Sequence, residues 1–142
     1  MIDRKIIGIT ASCFDLCHAG HLEMLKYCKE HCNYLIVLLQ TDPSLDRSQK
    51  RKPIESTFER YLRLKNCKWV DEIIPYDTEE DLLNALKILQ YDIRFLGEEY
   101  RDKPFTGRDI PGHFQKCRFN PRNHSFSSTN LIERLKEEKT YE

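Results

Sequence analysis

Six consecutive apolar residues, Tyr34–Leu39 (YLIVLL), leave little choice of secondary structure for this part of the chain. A similar run, Lys5–Thr10 (KIIGIT), precedes it. Runs of this length that are apolar at nearly every position are typical of strands covered by helices on both faces. Between them, apolar side chains recur every three to four residues over Gly20–His31, which predicts a helix. The two strands and the helix together predict a βαβ unit.

Strand and helix patterns continue to alternate along the remaining chain. Further helices are predicted over Glu59–Lys65, around the stripe Leu82, Leu86 and Leu89 that follows a Thr78 cap, and from Ser127 or Ser128 through Lys136. Further strands are predicted near Glu72–Ile74, Tyr91–Leu96 and Cys117–Phe119, with Gly97–Gly112 as a loop over a site. This alternation predicts one α/β domain over residues 1–142, a Rossmann-like doubly wound fold with a parallel sheet of about five strands. Ligands of such sheets bind at the carboxyl ends of the strands, where the strand order reverses.

Charge and hydropathy exclude several classes of function. The chain contains 23 lysines and arginines and 23 aspartates and glutamates, so no global field attracts it to nucleic acid or to a membrane surface. No apolar run approaches the roughly 20 residues that span a bilayer, and the N-terminal MIDRKIIGIT lacks the pattern of a secretory signal. We therefore expect a cytoplasmic protein that binds small molecules rather than nucleic acids or membranes.

Four of the six cysteines lie in the N-terminal quarter of the chain, close to three histidines: Cys13, Cys17, Cys28, Cys32, His18, His21 and His31. None of these cysteines forms a C-x-x-C pair, and their spacing matches no zinc finger or knuckle. We therefore expect most of them to be small buried hydrophobic residues and predict no metal site built from protein side chains. The alternative, a structural zinc site, predicts stoichiometric metal and loss of the fold on chelation.

The segment after the first predicted strand combines a strand-to-helix turn with two histidines three residues apart, His18 and His21. Residues at positions i and i+3 lie on one face of a helix, so both imidazoles are expected at the helix N-terminus, where free N–H groups favour an anion. Gly20 leaves the backbone open to a phosphate. These features predict a triphosphate site; the alternative is a pair of solvated histidines at a helix start.

The segment Phe14–His21 (FDLCHAGH), placed after an apolar strand, resembles the HxGH signature of the cytidylyltransferase-like nucleotidyltransferase superfamily. Near the C-terminus, Arg122–Thr129 (RNHSFSST) resembles the R-x-x-G-[IY]-S-[TS]-[TS] element that opens the last helix of these enzymes. Between the two, Lys68–Glu72 (KWVDE) resembles their [RK]-x-V-D-E stretch. The three elements follow in the family's order over roughly residues 5–135, and the short length most resembles the bacterial-type glycerol-3-phosphate cytidylyltransferases.

The resemblance implies transfer of CMP from CTP to a small phosphorylated alcohol, with glycerol 3-phosphate as the leading acceptor, and release of pyrophosphate. Mg²⁺ would accompany the triphosphate and be held mostly by it. Alternatives within the same chemistry are ATP as the nucleotide, or phosphoethanolamine, phosphocholine or a sugar phosphate as the acceptor. A non-catalytic nucleotide-binding module is the alternative from another functional class. The resemblance also implies a homodimer.

The same resemblance assigns roles to individual residues. Catalytic roles fall on His18, His21, Lys52 (or Lys50) and Arg122. Nucleotide-binding roles fall on Cys13, Phe14, Gly20, Gly97, Glu99, Ser127, Ser128 and Thr129. Acceptor-binding roles fall on Asp42 and Arg60. For several residues a second interpretation stays open: Lys52 in a solvated basic loop, Asp42 as a turn cap, Arg60 in a helix-surface ion pair, and Glu99 in an acidic surface loop.

The chain departs from the family pattern at positions that bear on base preference. Ser12-Cys13 stands where relatives have Gly-Thr before Phe-Asp. In the C-terminal element, Ser125 replaces the usual glycine and His124 replaces a more common acidic residue. The residue types that bind phosphate are retained, so activity is still expected. The base is less well determined, because the changed positions lie close to where it is expected to bind.

Overall fold

The computed structural model describes residues 4–138, in which a five-stranded parallel sheet has the strand order β3-β2-β1-β4-β5. The strands are β1 (Ile7–Ser12), β2 (Tyr34–Gln40), β3 (Glu72–Tyr76), β4 (Ile93–Gly97) and β5 (Cys117–Asn120). The helices are α1 (Ala19–Glu30), α2 (Thr57–Lys65), α3 (Glu79–Ile88) and α4 (Ser128–Glu138). Short 3₁₀ turns occur at Pro43–Leu45, Glu98–Tyr100 and Phe114–Lys116. The predicted doubly wound α/β fold is therefore confirmed.

Strand β2 divides its side chains between two hydrophobic cores. Leu35, Val37 and Leu39 are buried in the cluster that includes α1 and α2. The alternate residues Ile36 and Leu38 are buried in the cluster that includes α3. Successive side chains of a strand point to opposite faces, so helices cover both faces of the sheet. The unbroken apolar run of this strand follows directly from that double coverage.

The position of β1 in the sheet creates the crevice in which a ligand is expected. Ile9 of β1 pairs with Ile36 of β2 on one side and with Arg94 of β4 on the other. The chain passes outward from β1 through β2 to β3, then returns to the opposite side of β1 with β4. The connections after β1 and β4 therefore diverge. The carboxyl ends of these two strands border an open space.

Helix capping explains where the helix boundaries differ from the predicted ones. Helix α2 begins at Thr57, before the predicted Glu59, because Ser56 accepts a hydrogen bond from the Glu59 N–H and the Glu59 side chain accepts one from Ser56. Thr78 and Asp81 form the same reciprocal pair at the start of α3, as predicted. Strands β1 and β4 each begin two residues later than predicted, at Ile7 and Ile93.

Helix α4 packs less deeply than the other helices. No residue of α4 whose side chain the structure describes is fully buried, and Leu135 is 62% exposed. The hydroxyl of Ser128 donates to the backbone carbonyl of Asp15 at 3.4 Å and connects its first turn to the loop after β1. The last helix is therefore held mainly at its N-terminal end.

The cysteines are free thiols. Cys28, on the buried face of α1, lies in the core, where burial raises the pKa of its thiol. Cys32 and Cys67 pack against the same cluster. Within residues 4–138 there is no group of three or more His, Cys, Asp or Glu side chains arranged to hold an ion. In that part of the chain, no helix combines the length and the apolar character needed to cross a membrane.

A buried hydrogen-bonded chain fixes the long loop after β4. The Nη1 atom of Arg94 donates to His113 Nε2 at 3.1 Å, and His113 Nδ1 lies 2.9 Å from Tyr91 Oη. The Tyr91 hydroxyl also lies 3.1 Å from the Leu86 carbonyl. Arginine can only donate, so His113 Nε2 accepts and the proton of the neutral ring resides on Nδ1. Burial, with the charges of Arg94 and Lys116, lowers the pKa of His113 to about 4.

We expect acid to destabilise the protein through His113. Its pKa in the fold, about 4, lies below the ordinary 6.5, so the stabilisation is complete above pH 6.5 and is lost as the pH falls toward 4. Between pH 7 and pH 5 the loss is about 2 kcal/mol. The measurement is the urea midpoint against pH for the wild type and His113→Gln. The variant is expected to show a shallower acid slope; an equal slope contradicts the assignment.

Candidate functional site

An open cleft of about 880 Å³ lies above the carboxyl ends of the strands. It contains both HxGH histidines, the last residues of β1 and β4, and the segment before α4. Its lining includes five cationic side chains, those of Arg47, Lys50, Arg51, Arg94 and Arg122. It includes only three carboxylates, those of Glu23, Glu79 and Glu99. In a chain without net charge, this is the local concentration of positive charge that a phosphorylated ligand requires.

The two HxGH histidines are held by backbone N–H groups at the start of α1. His18 is the N-cap residue, and its Nδ1 accepts from the Gly20 N–H at 3.0 Å. His21 Nδ1 accepts from the His18 N–H at 3.2 Å, and the two rings stack with centroids 4.0 Å apart. A neutral imidazole that accepts through Nδ1 carries its proton on Nε2. Both rings therefore offer an Nε2–H donor.

Burial favours the neutral form of both imidazoles. Burial, assisted by the charge of His18, lowers the pKa of His21 to about 4, with Asp15 opposing the shift. Burial also lowers the pKa of His18, assisted by Arg122 and His124. The site therefore receives hydrogen-bond donors from the histidines and net positive charge from arginine and lysine.

The loop that carries His18 has a strained backbone that a second segment holds in place. Phe14 and Leu16 have positive φ values of 52° and 53°, which non-glycine residues rarely adopt. The buried Asp15 carboxylate accepts from the backbone N–H groups of Ile54 and Glu55, at 2.9 and 3.0 Å. In return, Glu55 accepts from the Leu16 N–H at 2.7 Å. This reciprocal Asp15–Glu55 clasp offsets the strain and fixes the start of α1.

Arg60 supports the site from below, which corrects the prediction that it contacts the acceptor. Its side chain is 2% exposed and its guanidinium makes five hydrogen bonds: to the carbonyls of Cys13, Gln40, Thr41 and Glu55 and to the Thr57 hydroxyl. These bonds use all five N–H donors of an arginine. None remains for a ligand, and the predicted surface ion pair is also absent among these partners.

Several other predicted residues lie outside the cleft. The Phe14 side chain is buried in the core, so only its backbone borders the loop. Asp42 caps a turn by accepting from the Ser44 N–H at 2.9 Å, the second interpretation that the sequence left open. Lys52 does not line the cleft, whereas its neighbours Lys50 and Arg51 do. Ser128 and Thr129 also lie outside its lining.

The C-terminal element brings Arg122, His124 and Ser127 to the cleft. Ser127 caps α4, since its Oγ accepts from the Asn130 N–H at 3.0 Å and its own hydroxyl hydrogen remains available to a ligand. Arg122 Nη2 donates to the Phe126 carbonyl at 2.7 Å and so shapes the turn before the helix. The N-termini of α1 and α4 therefore border one space, and both favour an anion.

Gly97 and Glu99, at the end of β4, line the cleft together with Cys13. The Glu99 carboxylate folds back over Gly97, in the place that a Cβ atom would occupy. A larger residue at position 97 would therefore displace this carboxylate. The Glu99 side chain is flexible and can move, so this contact alone does not require glycine at position 97.

The cleft continues over the α3 face of the sheet, where the sequence predicted a loop over a site at Gly97–Gly112 but assigned no role to Arg47, Arg94 or Thr106. Arg47 forms an ion pair with Glu79 at 3.1 Å, and the Thr106 hydroxyl donates to Glu79 at 2.8 Å. Arg94 donates to the Thr106 carbonyl, and Gln40 accepts from Arg47 at 3.4 Å. The available signal was weak: a glutamine at the end of an apolar strand and an arginine inside a strand.

The comparisons with known proteins agree with this geometry. Residues 9–134 match the model of the cytidylyltransferase-like family. The bifunctional protein HldE of Campylobacter jejuni subsp. jejuni serotype O:6 is 33% identical over 138 residues, which are 96% of this chain and 29% of that protein. HldE of Caulobacter vibrioides is 31% identical over 131 residues, 91% of this chain and 27% of that protein. The chain thus spans less than a third of the length of these two relatives.

A solved structure has the same fold. The lipopolysaccharide core biosynthesis protein from Thermoplasma volcanium superposes with a TM-score of 0.65 at 24% identity, covering 87% of this chain and 100% of that one. The family model covers most of the chain, including both ends of the cleft. The chain therefore belongs to the cytidylyltransferase-like family of nucleotidyltransferases.

Proposed function

We propose that this chain transfers CMP from CTP to a small phosphorylated alcohol, with glycerol 3-phosphate as the leading acceptor. The observation that carries nucleotidyl transfer is the meeting of the HxGH segment with the N-terminus of α4, from opposite ends of the chain. The choice of CTP and glycerol 3-phosphate rests on the resemblance in motifs and length. Two helix N-termini, the Nε2–H groups of His18 and His21, and Arg122 would surround one triphosphate. The negative charge of a triphosphate bound there would be stabilised by these groups along its whole length.

The reaction requires the protein to position the two substrates and to stabilise the developing charge, and it requires no covalent intermediate with the protein. A phosphate oxygen of the acceptor attacks the α-phosphorus, the bond from that phosphorus to the bridging oxygen breaks, and pyrophosphate leaves. Negative charge shifts to the leaving group during this displacement. Neutral His18 and His21 would donate hydrogen bonds to the phosphate oxygens as the charge develops, in positions already fixed by the backbone.

Mg²⁺ belongs to the proposal as the companion of the triphosphate. It would be coordinated mostly by phosphate oxygens and water, since residues 4–138 offer no preassembled cluster of three or more ligating side chains. Glu23 and Glu99 are the cleft carboxylates outside the Arg47–Glu79 pair and are the candidates for a direct or water-mediated oxygen ligand. When bound, the ion would neutralise charge on the phosphates.

The acceptor is proposed to occupy the α3-face half of the cleft. The guanidinium groups of Arg47 and Arg94 suit phosphate oxygens, and Glu79 and Thr106 suit the hydroxyl groups of an alcohol. This mixture of donors and acceptors supports a hydroxylated phosphate ester such as glycerol 3-phosphate or a sugar phosphate. A quaternary ammonium acceptor such as phosphocholine has no hydroxyl groups to offer Glu79 and Thr106, which disfavours it.

The test is pyrophosphate release with Mg²⁺, each of the four nucleoside triphosphates, and a panel of phosphorylated alcohols. We expect turnover with CTP and glycerol 3-phosphate. His31 lies outside the cleft lining. His31→Gln therefore serves as the matched control for substitutions of the site histidines and is expected to keep the wild-type rate. Turnover with ATP alone would retain the mechanism and overturn CTP. Tight binding of a triphosphate without turnover on any acceptor would favour the non-catalytic module.

A homodimer is also part of this proposal. It is supported by exposed apolar side chains on α2 and the segment before it: Phe58 is 66% exposed, Leu62 42% and Ile54 59%. Phe58 and Leu62 are four residues apart and share one helix face. Sedimentation equilibrium of the purified chain tests the state directly, and a monomer at all concentrations would contradict it.

A further inference from the structure

His124 lies beside the HxGH histidines, although it comes from the segment before α4. A Cβ atom on Gly20 would lie 2.8 Å from His18 Cε1 and 2.9 Å from His124 Cε1. The two rings therefore converge on the first turn of α1, over the glycine that leaves room for them. His124 lines the cleft.

The hydrogen bonding of His124 repeats that of the other two histidines. Its Nδ1 accepts from the backbone N–H of Phe126 at 3.2 Å, as His18 Nδ1 accepts from Gly20 and His21 Nδ1 from His18. The neutral ring therefore carries its proton on Nε2. Stacking on Phe126, with centroids 5.0 Å apart, fixes the ring plane. All three imidazoles are thus Nε2–H donors whose tautomer is set by the backbone.

The alternative is that His124 only stacks on Phe126 and stabilises the turn. Stacking alone requires neither an Nε2–H group nor a place above Gly20.

We propose that His124 is a third phosphate-binding imidazole, which donates its Nε2–H to the β- or γ-phosphate of the nucleotide. It shares a short segment with Ser127 and the N-terminus of α4, the groups that would bind the outer phosphates while His18 and His21 bind the α-phosphate. The inference rests on that function, since it requires a triphosphate in the cleft.

The experiment uses the two halves of the imidazole separately. His124→Asn keeps a polar atom near Nδ1, which accepts from the Phe126 N–H, and has none near Nε2. His124→Gln keeps a donor near Nε2. Dissociation constants of CTP and CMP, and of ATP and AMP, are measured by calorimetry for both variants, for the wild type and for His31→Gln. We expect His124→Asn to weaken triphosphate binding about tenfold, with monophosphate affinity unchanged within about twofold and His124→Gln close to the wild type.

Each outcome assigns the failure to one claim. Equal loss of triphosphate and monophosphate affinity would place His124 at the base or ribose and overturn the inference, as would unchanged triphosphate affinity in His124→Asn. If His124→Asn and His124→Gln both lose nucleotide binding and both have a lowered melting temperature, His124 is a structural residue and the inference is overturned. A wild-type protein that binds none of the four nucleotides would overturn the proposed function itself.

Discussion

Replacing His18 by asparagine is expected to lower kcat/KM by about 10²–10³-fold while the melting temperature stays close to that of the wild type. The two ring nitrogens of His18 have different tasks. Nδ1 caps α1 by accepting from the Gly20 N–H at 3.0 Å, and asparagine is among the best N-cap residues. The variant therefore keeps the start of the helix and loses the Nε2–H group that would meet the α-phosphate.

The complementary variant His18→Gln keeps a donor near Nε2 and loses the cap. It should retain more of kcat/KM than His18→Asn and lose about 1 kcal/mol of stability. Steady-state kinetics and thermal unfolding of both variants separate the two tasks. If the asparagine variant keeps wild-type kcat/KM, His18 does not act on the substrate. If both variants lose stability equally, the cap assignment is wrong.

Arg60→Met is expected to lower the free energy of unfolding by about 3–5 kcal/mol, without a selective effect on acceptor binding. The guanidinium connects four backbone carbonyls and one hydroxyl, from the loop after β1, the end of β2 and the start of α2. Methionine has a similar length and fills part of the space, but it leaves these carbonyls buried without donors.

Urea unfolding of Arg60→Met beside Lys65→Met tests this role. Lys65 is exposed on the same helix, so its substitution controls for the loss of a positive charge and is expected to cost about 0.5 kcal/mol or less. A raised KM for glycerol 3-phosphate with an unchanged urea midpoint would contradict the structural role. It would restore the interpretation of Arg60 as an acceptor-binding residue.

The site residues that could be predicted are those that lie close together in the sequence. His18, Gly20 and His21 act within one helical turn, so their spacing alone placed them together at an anion-binding end. The local sequence also predicted Ser127 or Ser128 as the cap of the last helix, whereas the binding role of Ser127 came from the resemblance of Arg122–Thr129 to the family element. The apolar run of β2 likewise predicted a strand covered on both faces, and the structure confirms this.

The missed part depends on contacts between distant segments. Arg60 looks like a surface residue of an amphipathic helix, and only the meeting of α2 with the ends of β1 and β2 buries it. Arg94 sits inside β4 and interrupts an otherwise apolar strand. Its burial is tolerated because His113 and Thr106, from the following loop, supply acceptors. Nothing in the spacing of these residues indicates such partners.

The shallow packing of α4 links nucleotide affinity to the local stability of the chain. This helix has no fully buried residue among those described, yet it contributes one of the two N-termini at the cleft. A ligand bound at that end therefore also stabilises the packed position of α4. Nucleotide affinity and the opening equilibrium of α4 are thermodynamically linked. A solvent or substitution that favours fraying of α4 lowers nucleotide affinity, and a bound nucleotide suppresses fraying by the same factor. A helix nearly absent from the core thereby becomes a point of control over the site.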